Sequence, residues 1–138
     1  MKRKSNLIVL VGTAAMAFGL SAAAVEIRVT LSGDQEVPAV ATEAKGEATI
    51  NIGADKSVSG TVKTTGVEGV AAHVHVAEPG KNGPPIITLT KQDENTWVIP
   101  YGAKLTDEQY EQFQAGLFYI NIHSANHKSG EIRGQLKP

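Results

Sequence analysis

All four histidines of the 138-residue chain lie in its second half, and two of them are separated by a single residue. They are His73 and His75 in His-Val-His, then His123 and His127. Neutral imidazole is a ligand for copper, zinc and nickel. In extended backbone, side chains at i and i+2 leave on the same side, so a strand carrying His73 and His75 aims two ring nitrogens together. A third ligand from a second strand and a fourth from a turn would complete four-coordination. His123, at the end of an apolar run, and His127, just after it, are the expected donors. The chain has no cysteine, which excludes thiolate ligands and thiolate nucleophiles. A set of imidazole nitrogens favours copper or zinc over calcium or magnesium. The expected metal ligands are therefore His73, His75, His123 and His127, with copper or zinc as the ion. A metal-free role competes with this one: the same rings would hydrogen-bond the loop at 78–85 and the turn at 124–130 and hold them in place.

The elements that must position these residues read as strands. Val25, Ile27, Val29 and Leu31 alternate with Glu26, Arg28 and Thr30, the period of a strand with one buried face. Ala48, Ile50 and Ile52 continue the pattern, residues 53–56 turn the chain, and Val58, Gly60 and Val62 return it, as in a hairpin. Further strands are expected at 71–77, 86–90, 96–99, 117–123 and 131–136. If Val70, Ala72, Val74 and Val76 face the core on one strand, and Phe118, Ile120 and Ile122 on another, then His73, His75 and His123 point away from it. Tyr119 and Asn121 share the His123 side. One helix interrupts the strands near 106–115. Thr106 caps it, Gln109 completes a capping box, and Gly116 ends it. Seven or eight short strands with a single helix predict an all-β fold, an antiparallel β-sandwich of immunoglobulin-like or superoxide-dismutase-like form, with a small closed barrel as the alternative.

Other constellations are weaker. Glu36, Glu131 and Arg133 offer an ion pair or a paired-carboxylate site. Ser124 beside His123 lacks a nucleophile elbow. Gly80 and Gly83 flank a turn without the spacing of a phosphate loop. Trp97 and Tyr101 offer a stacking surface.

The N-terminus combines Lys2, Arg3 and Lys4 with an apolar stretch from Leu7 to Leu20 and a small-residue end at 21–24. This is the pattern of a secretory signal peptide, with cleavage expected after Ala24 and the mature domain at 25–138. The apolar run is shorter than the roughly 20 residues of a membrane-spanning helix, so no transmembrane span is expected after cleavage. The mature part keeps 10 of the 13 basic residues and all 14 acidic ones, a net charge near −4. That balance argues against nucleic acid as a partner. The expected location is periplasmic or secreted.

Four segments carry a family resemblance. Residues 31–38, Leu-Ser-Gly-Asp-Gln-Glu-Val-Pro, resemble the opening motif of the CHRD (chordin-type) domain. Ala72-His73-Val74-His75 with Gly80 and Asn82-Gly83-Pro84 resembles its central motif. Residues 117–123 and 130–136 resemble its closing pair. The likeness spans about 25–136. It implies an extracytoplasmic β-domain, and an envelope or extracellular protein as partner. A fainter likeness is to Cu,Zn superoxide dismutases, whose copper is held by a strand His-x-His and further histidines. It implies His73, His75 and His123 as copper ligands, and Arg133 as an arginine drawing an anionic substrate. The disulfide, the bridging histidine and the zinc-loop aspartate of that family have no counterpart here. The expected functions are thus metal handling or a redox role through the histidines, a metal-free interaction module, or a dismutase-like copper enzyme.

Overall fold

The computed structural model describes residues 24–138 together with Gly12 and Thr13, so nearly all of the expected signal peptide lies outside the described residues. The described chain is all-β with one short helix. Its strands are β1 (Val25–Ser32), β2 (Lys45–Ile52), β3 (Val58–Thr65), β4 (Gly69–Val76), β5 (Pro85–Thr88), β6 (Thr90–Asp93), β7 (Thr96–Val98), β8 (Phe118–Ser124) and β9 (Ile132–Leu136). The helix α1 (Asp107–Gln114) lies between β7 and β8.

The strands form one antiparallel sheet in the order β5-β4-β8-β9-β1-β2-β3-β7-β6. Its two end strands are consecutive in the chain, joined by Leu89. The Leu89 amide donates to Ala72 O (2.9 Å), and its side chain is buried. The sheet therefore curls until the chain itself crosses the seam, a nearly closed sandwich-like barrel. Alternating Ile27, Leu31, Ala48, Ile50, Ile52, Val62, Val74, Ile120, Ile122, Ile132 and Leu136 fill the interior with Trp97 and Phe118.

The β2–β3 hairpin forms in the expected register, Ile52 opposite Val58 and Ala48 opposite Val62. The α1 cap also forms. Thr106 Oγ1 accepts from the Gln109 amide (3.1 Å), and the Gln109 side chain accepts from the Thr106 amide (2.9 Å). Three details differ from the sequence expectation. The ninth strand, β6, splits off from the expected 86–90 run because the chain turns at Leu89. Val70 is 63% exposed, not on the core face, because the β4–β8 register shifts between Gly69 and Ala71. A shift of one residue moves a side chain to the opposite face. Trp97 is a core residue 3% exposed while Tyr101 lies fully in solvent, so the two make no stacking surface.

Candidate metal centre

Strands β4 and β8 are direct neighbours, with His73 opposite Asn121, His75 opposite Tyr119 and Ala71 opposite His123. Period-2 alternation sends Ala72, Val74, Ile120 and Ile122 inward, and His73, His75, Tyr119, Asn121 and His123 to the outer face. The three histidines offer ring nitrogens that all lie within 4.8 Å of one another. His73 Nδ1 and His123 Nε2 are 3.0 Å apart. Two nitrogens bound to one ion at about 2.0–2.1 Å in tetrahedral geometry stand about 3.3–3.4 Å apart, so a small ring rotation is enough to admit one.

The hydrogen bonds fix which nitrogens remain free. His75 Nδ1 faces Gly83 O at 2.9 Å and His123 Nδ1 faces Lys128 O at 2.8 Å. A carbonyl only accepts, so both Nδ1 atoms carry the proton. In the neutral rings both Nε2 atoms then carry lone pairs. His123 Nε2 takes the proton of His73 Nδ1. His75 Nε2 is buried and has no hydrogen-bond partner. Burial holds the pKa of His73 below its usual value, and the neighbouring His123 and His75 lower it further. Burial lowers His75 as well, against the Gly83 carbonyl and Asn121, which favour its charged form. A neutral ring such as His75, with one nitrogen donating to a carbonyl and the other free, is in the arrangement that orients a metal ligand.

His127 does not join this group. Its backbone closes the turn with Ser124, donating to Ser124 O and accepting from the Ser124 amide, both at 3.2 Å. The cluster is His73, His75 and His123, and the reversal after β8 carries the fourth histidine away.

The loop at 78–85 covers the outer face and buries His75 to 7% exposure. Arg133 on β9 secures it. This side chain is 2% exposed, and its guanidinium lies 3.4 Å from the Tyr119 ring centroid. It donates to Lys81 O (2.7 Å), Asn82 Oδ1 (3.2 Å) and Glu78 O (3.4 Å). Tyr119 in turn stacks on His75 with centroids 4.7 Å apart and planes 2° from parallel. Arg133 is therefore committed to the loop and is not a solvent-facing attractor of anions. Among the described residues Glu36, Glu131 and Arg133 form no ion pair with one another, although the Arg133 charge is felt at Glu36. Glu131 accepts from Ser124 Oγ (2.7 Å) and Thr42 Oγ1 (2.9 Å), while Glu36 is 5% exposed with Oε1 unpartnered.

Gly83 is the hinge of this assembly. Its amide donates to the Tyr119 hydroxyl (3.1 Å) and its carbonyl accepts from His75. A side chain there would overlap the Val76 carbonyl oxygen. Gly83→Ala is expected to lift the loop from β4 and destabilise the domain by about 1–3 kcal/mol, read as a lower midpoint in urea unfolding. An unchanged midpoint would contradict this packing.

Sequence reasoning identified the three clustered histidines and the shared side of Tyr119 and Asn121. It named Gly83 only as a turn and motif residue and missed its packing against β4 and Tyr119, whose contacts lie across a loop, and it missed the burial of Glu36 and Arg133. The four resemblance segments meet here: Asn82 Nδ2 donates to Val37 O (2.8 Å), Arg133 reaches Asn82, and His75 and Tyr119 both hold Gly83.

No curated protein matches the chain. No solved structure matches it either. A family model does: the CHRD domain, over residues 27–136. That match takes in all of β1 but its first two residues, every other strand, the covering loop and all three clustered histidines, and the chain belongs to the CHRD domain family.

Proposed function

We propose that this CHRD-domain protein works outside the cytoplasm and binds copper or zinc through His73, His75 and His123, in metal handling. The observation that carries this reading is the buried, unpartnered His75 Nε2. Holding down loops needs only the Nδ1 atoms of His75 and His123. It leaves a buried lone pair unsatisfied, which costs about 1–3 kcal/mol. An ion between the three rings removes that cost. The N-terminal signal-like segment and the family membership support an exported location, periplasmic or secreted. Among the described residues no helix is long and apolar enough to cross a membrane.

Binding to the folded state alone raises stability by mass action, about 2.7 kcal/mol with free ion at a hundred times Kd. For a domain of this size that corresponds to a rise of roughly 10 °C in Tm. Melting curves of the mature domain with Zn(II) or Cu(II), and again with excess chelator, test the proposal. A chelator-reversible rise supports it, and superimposable curves count against it.

A metal-free interaction module is the second reading. The ties from His75 to Gly83 and from His123 to Lys128 favour it, because they shape two surface loops for contact with an envelope or extracellular protein. In that case the histidine variants change partner binding without any dependence on metal. A dismutase-like redox role draws less support, since Arg133 is buried in loop contacts.

A further inference from the structure

The buried polar atoms without a hydrogen-bond partner are Glu36 Oε1, His75 Nε2, Trp97 Nε1, Asn121 Oδ1 and Gln135 Oε1 among the described residues. Two of them belong to residues on the outer face of the adjacent strands β4 and β8, His75 and Asn121. Both are acceptors when His75 is neutral. Two buried acceptors side by side with no donor between them call for a cation or a water.

The orientation of the Asn121 carboxamide is fixed by its other end. Asn121 Nδ2 donates to Ser129 O at 3.3 Å, which only the nitrogen can do. The same nitrogen and Glu36 Oε1 crowd Gly130, where any side chain would collide with both. The carboxyl of Glu36 thus lies on the Nδ2 side of the amide. With Nδ2 held on that side, Oδ1 is the end left buried and unpartnered on the face that carries the rings. Asn121 also stands opposite His73 in the β4–β8 register and two residues before His123. Its position in the register is central to the triad.

We propose that Asn121 Oδ1 is a fourth ligand to the ion held by His73, His75 and His123. The inference rests on the metal-binding reading. It turns a three-nitrogen set into three nitrogens and one neutral oxygen, which still suits copper or zinc. Glu36 and the Ser129 carbonyl are positioning groups that hold the amide.

The test is a titration of the mature domain with Zn(II) and Cu(II) at pH 7.5, alongside Asn121→Ala, Asn121→Asp and the His73→Ala/His75→Ala double variant. Asn121→Asp keeps an oxygen donor but loses the NH2 that binds Ser129. A ligand role predicts that Asn121→Ala weakens binding by about tenfold or more, while Asn121→Asp binds as tightly as the parent or tighter. If the amide only anchors the 124–130 turn, both variants weaken alike, and the fourth-ligand assignment is overturned. It is also overturned if both bind like the parent. Should Asn121→Ala fail to fold, Asn121→Asp decides alone, and a tenfold loss in it rejects the assignment. Parent binding that only the double histidine variant abolishes leaves the triad standing without Asn121. No binding by the parent overturns both.

Discussion

Replacing His73 and His75 together by alanine is expected to lower affinity for Zn(II) and Cu(II) by at least about a thousandfold while the β-sheet survives. Displacing even a group behind a ligand typically costs 10–100-fold in metal affinity, and here two of three imidazoles are removed outright. The sheet should tolerate the change because both rings lie on the outer face, whereas Ala72, Val74, Ile120 and Ile122 keep the interior filled. What the variant loses structurally is the His75 bond to Gly83 O, the His75 stack on Tyr119 and the His73–His123 bond, and only the first of these ties down the covering loop. Arg133 still holds Glu78, Lys81 and Asn82. Circular dichroism of the metal-free variant checks the fold, and metal analysis after dialysis checks the loss. A folded variant that retains one equivalent of metal would move the site elsewhere.

The second large effect concerns pH. Glu36 is buried, and that desolvation pushes its carboxyl from its ordinary 4.5 up to about 7, against the pull of Asn121 and Arg133. A carboxyl with a raised folded-state pKa favours the protonated form of the native protein. Its stabilising contribution is complete below pH 4.5 and is lost as pH rises through 7. The shift corresponds to about 3 kcal/mol. His73 and His75 act with the opposite sign. Their folded-state values lie below 6.5, so the unfolded chain binds more protons, and stability falls as pH drops below 6.5. The metal-free domain should therefore be most stable in mildly acidic to neutral solution. Glu36→Gln removes the alkaline loss. This variant is expected to exceed the parent by up to about 3 kcal/mol at pH 8 and to match it near pH 4, measured by urea unfolding across the range. A variant less stable than the parent at pH 8 would mean that the charged carboxylate is held by contacts stronger than its burial.

Much of this face was legible from residue order alone. Alternation placed His73, His75 and His123 on the outer side of their strands, because side-chain direction in a strand follows from counting by two. The Thr106 cap and the β2–β3 turn were legible for the same reason, since each is local. Features set by distant contacts were not. β6 consists of Thr-Lys-Gln-Asp, all exposed, so it carries no hydrophobic period, and only pairing with β7 makes it a strand. The displacement of Val70 depends on a register shift against β8. Glu36 sits in an irregular stretch after β1, where no periodicity reports burial. Its neighbours Asn121, Gly130 and Arg133 lie some 90 residues downstream. His127 counted as a fourth ligand by proximity in sequence, but the Ser124 turn reverses the chain before the ring can reach the others.

The central claim is that three imidazoles on β4 and β8 hold one transition-metal ion. It is tested most directly by calorimetric titration of the mature, tag-free domain with Zn(II) and with Cu(II). The account predicts one ion per chain, bound in the micromolar range or tighter. Millimolar or non-stoichiometric binding would contradict it. The histidines would then be loop anchors, and the outer face of β4 and β8 a surface for protein partners.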